Sequence, residues 1–333
     1  MPPLADLLDA VHVVVLPLQT RFRGIAVREA VLLDGPTGWG EFAPFPEYPP
    51  AEAARWLAAA VEGGWGGWPS PRRDQVPVNA IVPAVDPTDA RRIVTESGGC
   101  TVAKVKVAEP GQSLEDDVAR LAAVRAALGP DGRVRVDANG AWSVPAAADA
   151  LQRLTADGPL EYVEQPCRTL AETAQLRDRL REQRTDVLIA VDEGVRKSGD
   201  PTDPVRVAAL RAAADLVVVK VAPLGGVRAA LDVVRVVGLP AVVSSALDTS
   251  VGLAAGAALA AALPDLPYAC GLGSGRLLAA DVVRDRLLPH DGLLPVARPE
   301  PDPGLVAELA APPGRVAWWR SRLADTYAIM AGS

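Results

Sequence analysis

The sequence predicts an α/β protein in which a parallel eight-stranded barrel follows a smaller α+β module. Three observations predict it. Five apolar runs each carry a charged residue at or near their C-terminal end: Lys106, Asp137, Glu164, Asp192 and Lys220 stand 31, 27, 28 and 28 residues apart. That interval is the length of one strand plus one helix, and repeats of this unit close into a barrel whose strand C-termini form one face. The first 75 residues lack the rhythm and read as a hairpin followed by a helix.

Taken in order, residues 11–17 read as a strand, and 28–33 and 39–42 flank the turn Asp34-Gly35-Pro36-Thr37-Gly38, which predicts a hairpin. A helix is expected over 51–62, with Trp56 and Leu57 on its apolar face. Residues 63–74, rich in Gly, Pro and Trp, read as a linker; the polar loops 18–24 and 42–48 have no obvious structural duty. Strands are then expected near 78–85, 101–107, 134–137, 160–164, 187–192, 216–220, 240–245 and 267–272. Helices are expected over 114–127, 144–155, 170–184, 203–213 and 226–236. The tail has Pro-rich turns and one Trp-rich helical stretch, 315–327, more than a barrel needs. The predicted division is therefore 1–75, 76–293 and 294–333, with the last segment packing back on the first.

A carboxylate at the end of an apolar strand is out of place in a plain core. Asp137, Glu164 and Asp192 would converge at one barrel mouth and supply only hard oxygen donors, without His or Cys in the pattern, which suits Mg²⁺ better than zinc. The bland alternative is three separate salt bridges, for instance Arg135 with Asp137. Lys104 and Lys106, two apart on a strand, point into the same space. Like charges that close should lower each other's pKa and make one of them a better base. Lys220 should approach from across the barrel. Lysines astride a cation-bound carboxylate form a proton-transfer arrangement. A lone strand lysine is more often edge protection or a snorkelling stem, a reading that suits Lys104 better than Lys220.

Composition narrows the partners. With 49% hydrophobic and 23% charged residues the chain can bury a large core. A net charge of −7 argues against nucleic acid or anionic membrane as a main partner, leaving a small-molecule substrate. The start of the chain has no basic n-region, and the Ala-rich stretch 251–263 is too short to span a bilayer, so a cytoplasmic enzyme is expected. Cys100, Cys167 and Cys270 suggest neither a disulfide framework nor a zinc motif. His12 is expected to be packed in the core and His290 solvated.

The motif series is Lys104-Val105-Lys106, Val136-Asp137-Ala138-Asn139-Gly140, Glu164-Gln165-Pro166, Asp192-Glu193, and Val218-Val219-Lys220 before Gly225-Gly226. It resembles the enolase superfamily, in its muconate-lactonising branch, over nearly the whole chain. The resemblance implies a (β/α)7β TIM-type barrel with an α+β capping domain made from both termini. It implies Mg²⁺, with Mn²⁺ able to substitute, on Asp137, Glu164 and Asp192. Lys106 and Lys220 would be the catalytic lysines, and Lys104, Asn139 and Glu193 would support them from behind.

A second tier of motifs comprises Arg21-Phe22-Arg23-Gly24, Arg28-Glu29, residues 38–45 and residues 244–250. It is most similar to the o-succinylbenzoate synthases of menaquinone biosynthesis. That implies dehydration of 2-succinyl-6-hydroxy-2,4-cyclohexadiene-1-carboxylate to 2-succinylbenzoate, with Arg21, Arg23, Ser245 and Gly273 meeting the substrate. Dipeptide epimerases of the branch carry an Asp-x-Asp pair at the eighth strand; here that place reads Gly271-Leu272-Gly273-Ser274-Gly275. Gly194 stands where relatives often carry Ser. An N-acylamino acid racemase or a cycloisomerase would share the metal and both lysines. A non-enzymatic scaffold would have no use for opposed bases.

Overall fold

Apolar alternation over residues 11–42 produces an antiparallel sheet in the computed structural model, which describes residues 1–22, 24–197 and 199–332. After a short helix α1 (Leu4–Asp9), strands β1 (Val11–Phe22), β2 (Ile25–Gly35) and β3 (Gly38–Phe42) pair in that order. The predicted turn closes on the pair Gly35–Gly38. Helix α2 (Pro50–Val61) starts with Pro at its first turn, where a missing N–H costs nothing, and buries Trp56 and Leu57. It lies so close to β3 that a Cβ on Gly40 would sit 2.0 Å from the Ala60 carbonyl oxygen. Only glycine permits that approach.

The βα series follows. In chain order it comprises β4 (Gln75–Pro77), β5 (Ala80–Val82), α3 (Pro87–Thr95), β6 (Val102–Lys106), α4 (Leu114–Leu128), β7 (Arg133–Asp137), α5 (Val144–Leu154), β8 (Val163–Glu164) and α6 (Leu170–Gln183). It continues through β9 (Ile189–Val191), α7 (Glu193–Arg196), α8 (Pro204–Ala213), β10 (Leu216–Lys220), α9 (Val221–Leu224), α10 (Val227–Val237), β11 (Ala241–Ser244) and α11 (Ser250–Ala262). Strands β5 to β11 form one seven-stranded parallel sheet in sequential order. Single bridges Ser244–Gly271 and Val78–Cys270 carry the pairing across the remaining gap.

Several expected strands are thus shorter than predicted: 160–164 keeps only Val163–Glu164, 187–192 keeps only Ile189–Val191, and the first and last lose most. Pro77 and Pro83 bound the first, and residues 267–272 contribute isolated bridges, because proline cannot donate to a ladder. The sequence reading also missed α3 and α11. The latter is buried nearly all round, so it shows no apolar stripe to read.

Side-chain alternation sorts the barrel residues. Ala103, Val105, Val134, Val136, Val163, Ile189, Val191, Val217 and Val219 face the helices and join one large core. The intervening residues point inward. Near the bottom, Tyr162, Ala190, Leu216, Val218 and Val242 fill the interior. Above them come the charged residues at the strand ends.

The tail returns to the first sheet. Strand β12 (Leu293–Pro295) pairs with β4, and α12 (Pro303–Glu308) leads to a backbone bridge between Ala310 and Val14 that covers the edge of β1. Helix α13 (Pro313–Ala331) inserts Trp319 and Leu323 among Phe42, Trp56 and Leu57. His12, expected in the core, is instead exposed on the rim of β1, its ring 5.4 Å from that of Trp39.

Two carboxylates fasten the N-terminal module to the barrel by capping barrel helices. Glu62 accepts from the Val227 and Arg228 amides at the start of α10, close against Gly226 in the left-handed region (φ 128°). Glu41 accepts from the amides of Thr249 and Gly252, each at 3.1 Å, and from the Thr249 hydroxyl. Burial, and then the neighbouring Asp248 charge, push the Glu41 carboxyl up to about 8, against the opposing effects of Thr249 and Arg28. A carboxyl raised above its unfolded value contributes stability that is full at low pH and lost as pH rises through the folded pKa. Wild-type Tm should therefore lose a Glu41-dependent increment between pH 5 and 8.5. The Glu41→Gln variant should lack that increment, so the Tm difference between wild type and variant should move in the variant's favour as pH rises over that range. Parallel curves would contradict the assignment.

Candidate active site at the barrel mouth

Inward-pointing residues of β6 to β10 meet at the C-terminal end of the sheet. Lys106 on β6 donates to Asp137 Oδ2 at 2.6 Å and to Asn139 Oδ1. Lys104, one inward position deeper, is 2.7 Å from Glu164 Oε2 and 3.3 Å from Asp137 Oδ2. From the far side, Lys220 on β10 reaches Asp192 Oδ2 at 2.6 Å. Arg196 on α7 holds the other Asp192 oxygen at 3.0 Å and Glu193 at 3.1 Å, and Asn139 donates to Glu193 at 3.4 Å. Phe22, from the end of β1, lies over Lys106 with its centroid 5.6 Å from the ammonium.

The loops after the strands are held in unusual conformations. Asn139 (φ 47°) and Gln165 (φ 40°) both lie in the left-handed region, where non-glycine residues are uncommon. Gln165 justifies its strain: its side-chain oxygen accepts from the amides of Asp192 and Gly194, at 3.1 and 3.0 Å, and fixes the end of β9.

Asp137, Glu164 and Asp192 are all about 1% exposed. Burial pushes the Asp137 carboxyl up, but Lys106 and Lys104 more than reverse it, leaving it well below the usual range. Asp192 is likewise depressed, because Arg196 and Lys220 outweigh burial. Glu164 differs. Burial, and next the Asp137 charge, raise it to about 7, and Lys104 only partly compensates. Its Oε1 is buried without a partner. Lys104 is shifted up, not down: burial lowers it, and Glu164 and Asp137 more than restore it. The expected like-charge effect is outweighed because Glu164 and Asp137 lie 2.7 and 3.3 Å from the Lys104 ammonium.

Among the described residues, no three His, Cys, Asp or Glu side chains are drawn together around a single point, and ammonium groups lie between the carboxylates. The donor set nevertheless fits a hard divalent cation. Three buried carboxylates occupy adjacent strand ends, and the middle one has an unpartnered oxygen and a carboxyl short of positive charge.

Other predicted residues distribute around this centre. Ser245 lines the same pocket and bonds Gly271 O and Ser274 Oγ, each at 2.8 Å. Arg21 is exposed at the cleft above Lys106, and Arg23 lies outside the described residues. Gly273 packs with its α-carbon against the Asn79 carbonyl and lines a separate cavity beside α3. Arg135 does not pair with Asp137; it points into the barrel, bonding Asn79 and Glu161 below the site. Sequence reasoning missed Arg196, Gln165 and Lys197. Arg196 had one readable signal, its place four residues after Asp192 at the start of a helical turn.

Residues 86–312 match the enolase C-terminal domain-like family and residues 13–64 the enolase N-terminal domain-like family. The chain is 52% identical over 330 residues to the o-succinylbenzoate synthase of Mycobacterium leprae (strain TN), covering 99% of this chain and 95% of that one. It is 51% identical to the o-succinylbenzoate synthase of Mycobacterium tuberculosis (strain ATCC 25618 / H37Rv), covering 100% and 98%. In fold it is similar to muconate lactonizing enzyme from Pseudomonas putida, with TM-score 0.71 at 21% identity, covering 90% of this chain and 98% of that one. A capped parallel barrel, two family matches spanning most of its length and full-length relatives at half identity agree: the chain belongs to the enolase superfamily.

Proposed function

We propose that this protein is a cytoplasmic o-succinylbenzoate synthase, a lyase of menaquinone biosynthesis that dehydrates 2-succinyl-6-hydroxy-2,4-cyclohexadiene-1-carboxylate to 2-succinylbenzoate. The observation that carries the reading is the pair Lys106 and Lys220, on strands β6 and β10 with the three carboxylate strands between them. Relatives of the same name, matched over the whole chain, support it. In this reading residues 1–75 and 294–333 form a capping domain over the barrel of 76–293.

Enzymes of the superfamily generally use a divalent metal; here we assign Mg²⁺, held by Asp137, Glu164 and Asp192. When bound, the ion supplies Lewis-acid charge at the substrate carboxylate and makes the α-proton more acidic. Lys106, neutral, takes that proton at Nζ and, now an ammonium, returns a proton to the departing hydroxyl on the same face, so water leaves and the ring becomes aromatic. Asn139 and Asp137 fix the Lys106 rotamer through two hydrogen bonds. Lys220 stays an ammonium on the opposite face and stabilises the planar anion by charge and by cation–π contact. Lys104 pairs with Glu164 from below, and Arg196, itself braced by Glu193, holds Asp192 in place. Phe22 and Ser245 close the pocket above.

Removing Lys220 leaves the base intact and should lower kcat by about 10² to 10³, the usual loss for one electrostatic stabiliser. Steady-state kinetics of Lys220→Ala check this; a loss under tenfold would contradict it. The overall reading is tested by supplying the cyclohexadiene substrate with Mg²⁺ and following 2-succinylbenzoate by its aromatic absorbance. Absence of that product would refute it. The second lysine also favours one other reading, a two-base racemase acting on N-acylamino acids.

A further inference from the structure

The proposed substrate has two carboxylates, and the site described above accounts for one. The second sits on the succinyl tail, and a cleft of about 520 Å³ that shares Phe22, Lys106, Asn139 and Glu193 with the pocket over the site is open to take it. Arg21, Lys106, Lys197, Glu109, Glu193 and Asn139 are among its lining residues. Their charges are not equally committed. Lys106 is bonded to Asp137, and Glu193 is engaged by Arg196 and Asn139. Among the described residues, Lys197 and Arg21 have no carboxylate partner.

Lys197 is the better placed of the two. It follows α7 directly, five residues beyond Asp192, so the barrel itself positions its backbone. Its ammonium lies 5.2 Å from the centroid of the Tyr48 ring. A ring face satisfies the charge on one side and leaves N–H donors for an anion on the other.

Tyr48 is in turn immobilised. It is 6% exposed and makes edge contacts with Phe45 and Trp56, at 5.5 and 6.2 Å between centroids. The backbone around it is gripped by Arg322 of α13, which donates to the carbonyls of Phe45 (3.1 Å), Pro46 (3.2 Å) and Tyr48 (2.6 Å). A buried guanidinium that spends its donors on loop carbonyls fixes the shape of that loop.

On this basis, and resting on the dehydratase reading above, we propose that Lys197 is a specificity-determining residue that binds the tail carboxylate of the substrate, with Tyr48 as its positioning residue. The ion pair forms at a partly exposed cleft, so its contribution is modest. Truncation of the cation should weaken binding about two- to fivefold.

Calorimetry with 2-succinylbenzoate, on the Mg²⁺-loaded full chain, reads this without turnover. Lys197→Met should raise Kd by that factor, Lys197→Arg should restore most of it, and the tail-amide analogue of the product should bind both variants and wild type alike. In kinetics KM should rise by more than kcat falls. Tyr48→Leu, which keeps the charge but removes its platform, should show a smaller loss that also vanishes with the amide. Equal Kd values for Lys197→Met and wild type would overturn the assignment, as would equal losses against acid and amide. Failure of the wild type to bind or form 2-succinylbenzoate would instead remove the dehydratase reading, and the assignment with it.

Discussion

Replacing Lys106 by alanine is expected to cut kcat by about 10⁴, the upper range for a positioned general base, because in the proposed mechanism the same nitrogen serves both proton transfers. The substitution removes one ammonium from Asp137 but leaves Lys104 within 3.3 Å of the same oxygen, so the carboxylate keeps a partner and the strand end keeps its shape. Binding of Mg²⁺ should consequently persist in Lys106→Ala, and calorimetry with the metal alone separates a lost base from a collapsed site. Lys106→Arg should not rescue turnover, since a guanidinium stays protonated. A Lys106→Ala enzyme retaining a tenth of wild-type kcat would show that another group takes the proton.

Chelation should have an effect of similar size. Dialysis against EDTA is expected to reduce turnover to background, and Mg²⁺ or Mn²⁺ to restore it. The physical reason lies in the carboxylates. Glu164 is buried with one oxygen unpartnered between the strands of Asp137 and Asp192, and in the proposed mechanism a cation there is what holds the substrate carboxylate. Asp137→Ala, Glu164→Ala and Asp192→Ala should each weaken Mg²⁺ binding at least tenfold by calorimetry, a loss of about 1.4 kcal/mol or more. A variant that binds Mg²⁺ as the wild type does would remove that residue from the ligand set. Full activity after exhaustive chelation would remove the metal.

Much of this centre was legible because a charge in an apolar strand is costly and therefore conspicuous. Lys104, Lys106, Asp137, Glu164 and Lys220 lie at inward positions of strands whose outward positions are Val or Ala, and Asp192 follows β9 in the same phase. Period-two alternation was enough to place them. Residues beyond the strand ends were not legible in the same way. Arg196, Gln165 and Lys197 sit in turns without periodicity, and their roles depend on hydrogen bonds between segments far apart in sequence. Shortened strands at the barrel seam were hidden by prolines inside apolar runs, and α11 by having no polar face. The direction of the Lys104 shift was misjudged because spacing along one strand says nothing about carboxylates on the next two.

The central claim is that one lysine, on one face, moves the protons. Exchange with D₂O tests it most directly, using a chiral N-succinyl amino acid whose α-proton can be removed but which has no hydroxyl to lose. The account predicts that deuterium enters the enantiomer that presents its α-proton to Lys106, with configuration retained, and that Lys106→Ala abolishes the exchange while Lys220→Ala only slows it. Deuterium entering both enantiomers with loss of configuration, and exchange surviving in Lys106→Ala, would show that Lys220 is also a base and would contradict the single-face mechanism.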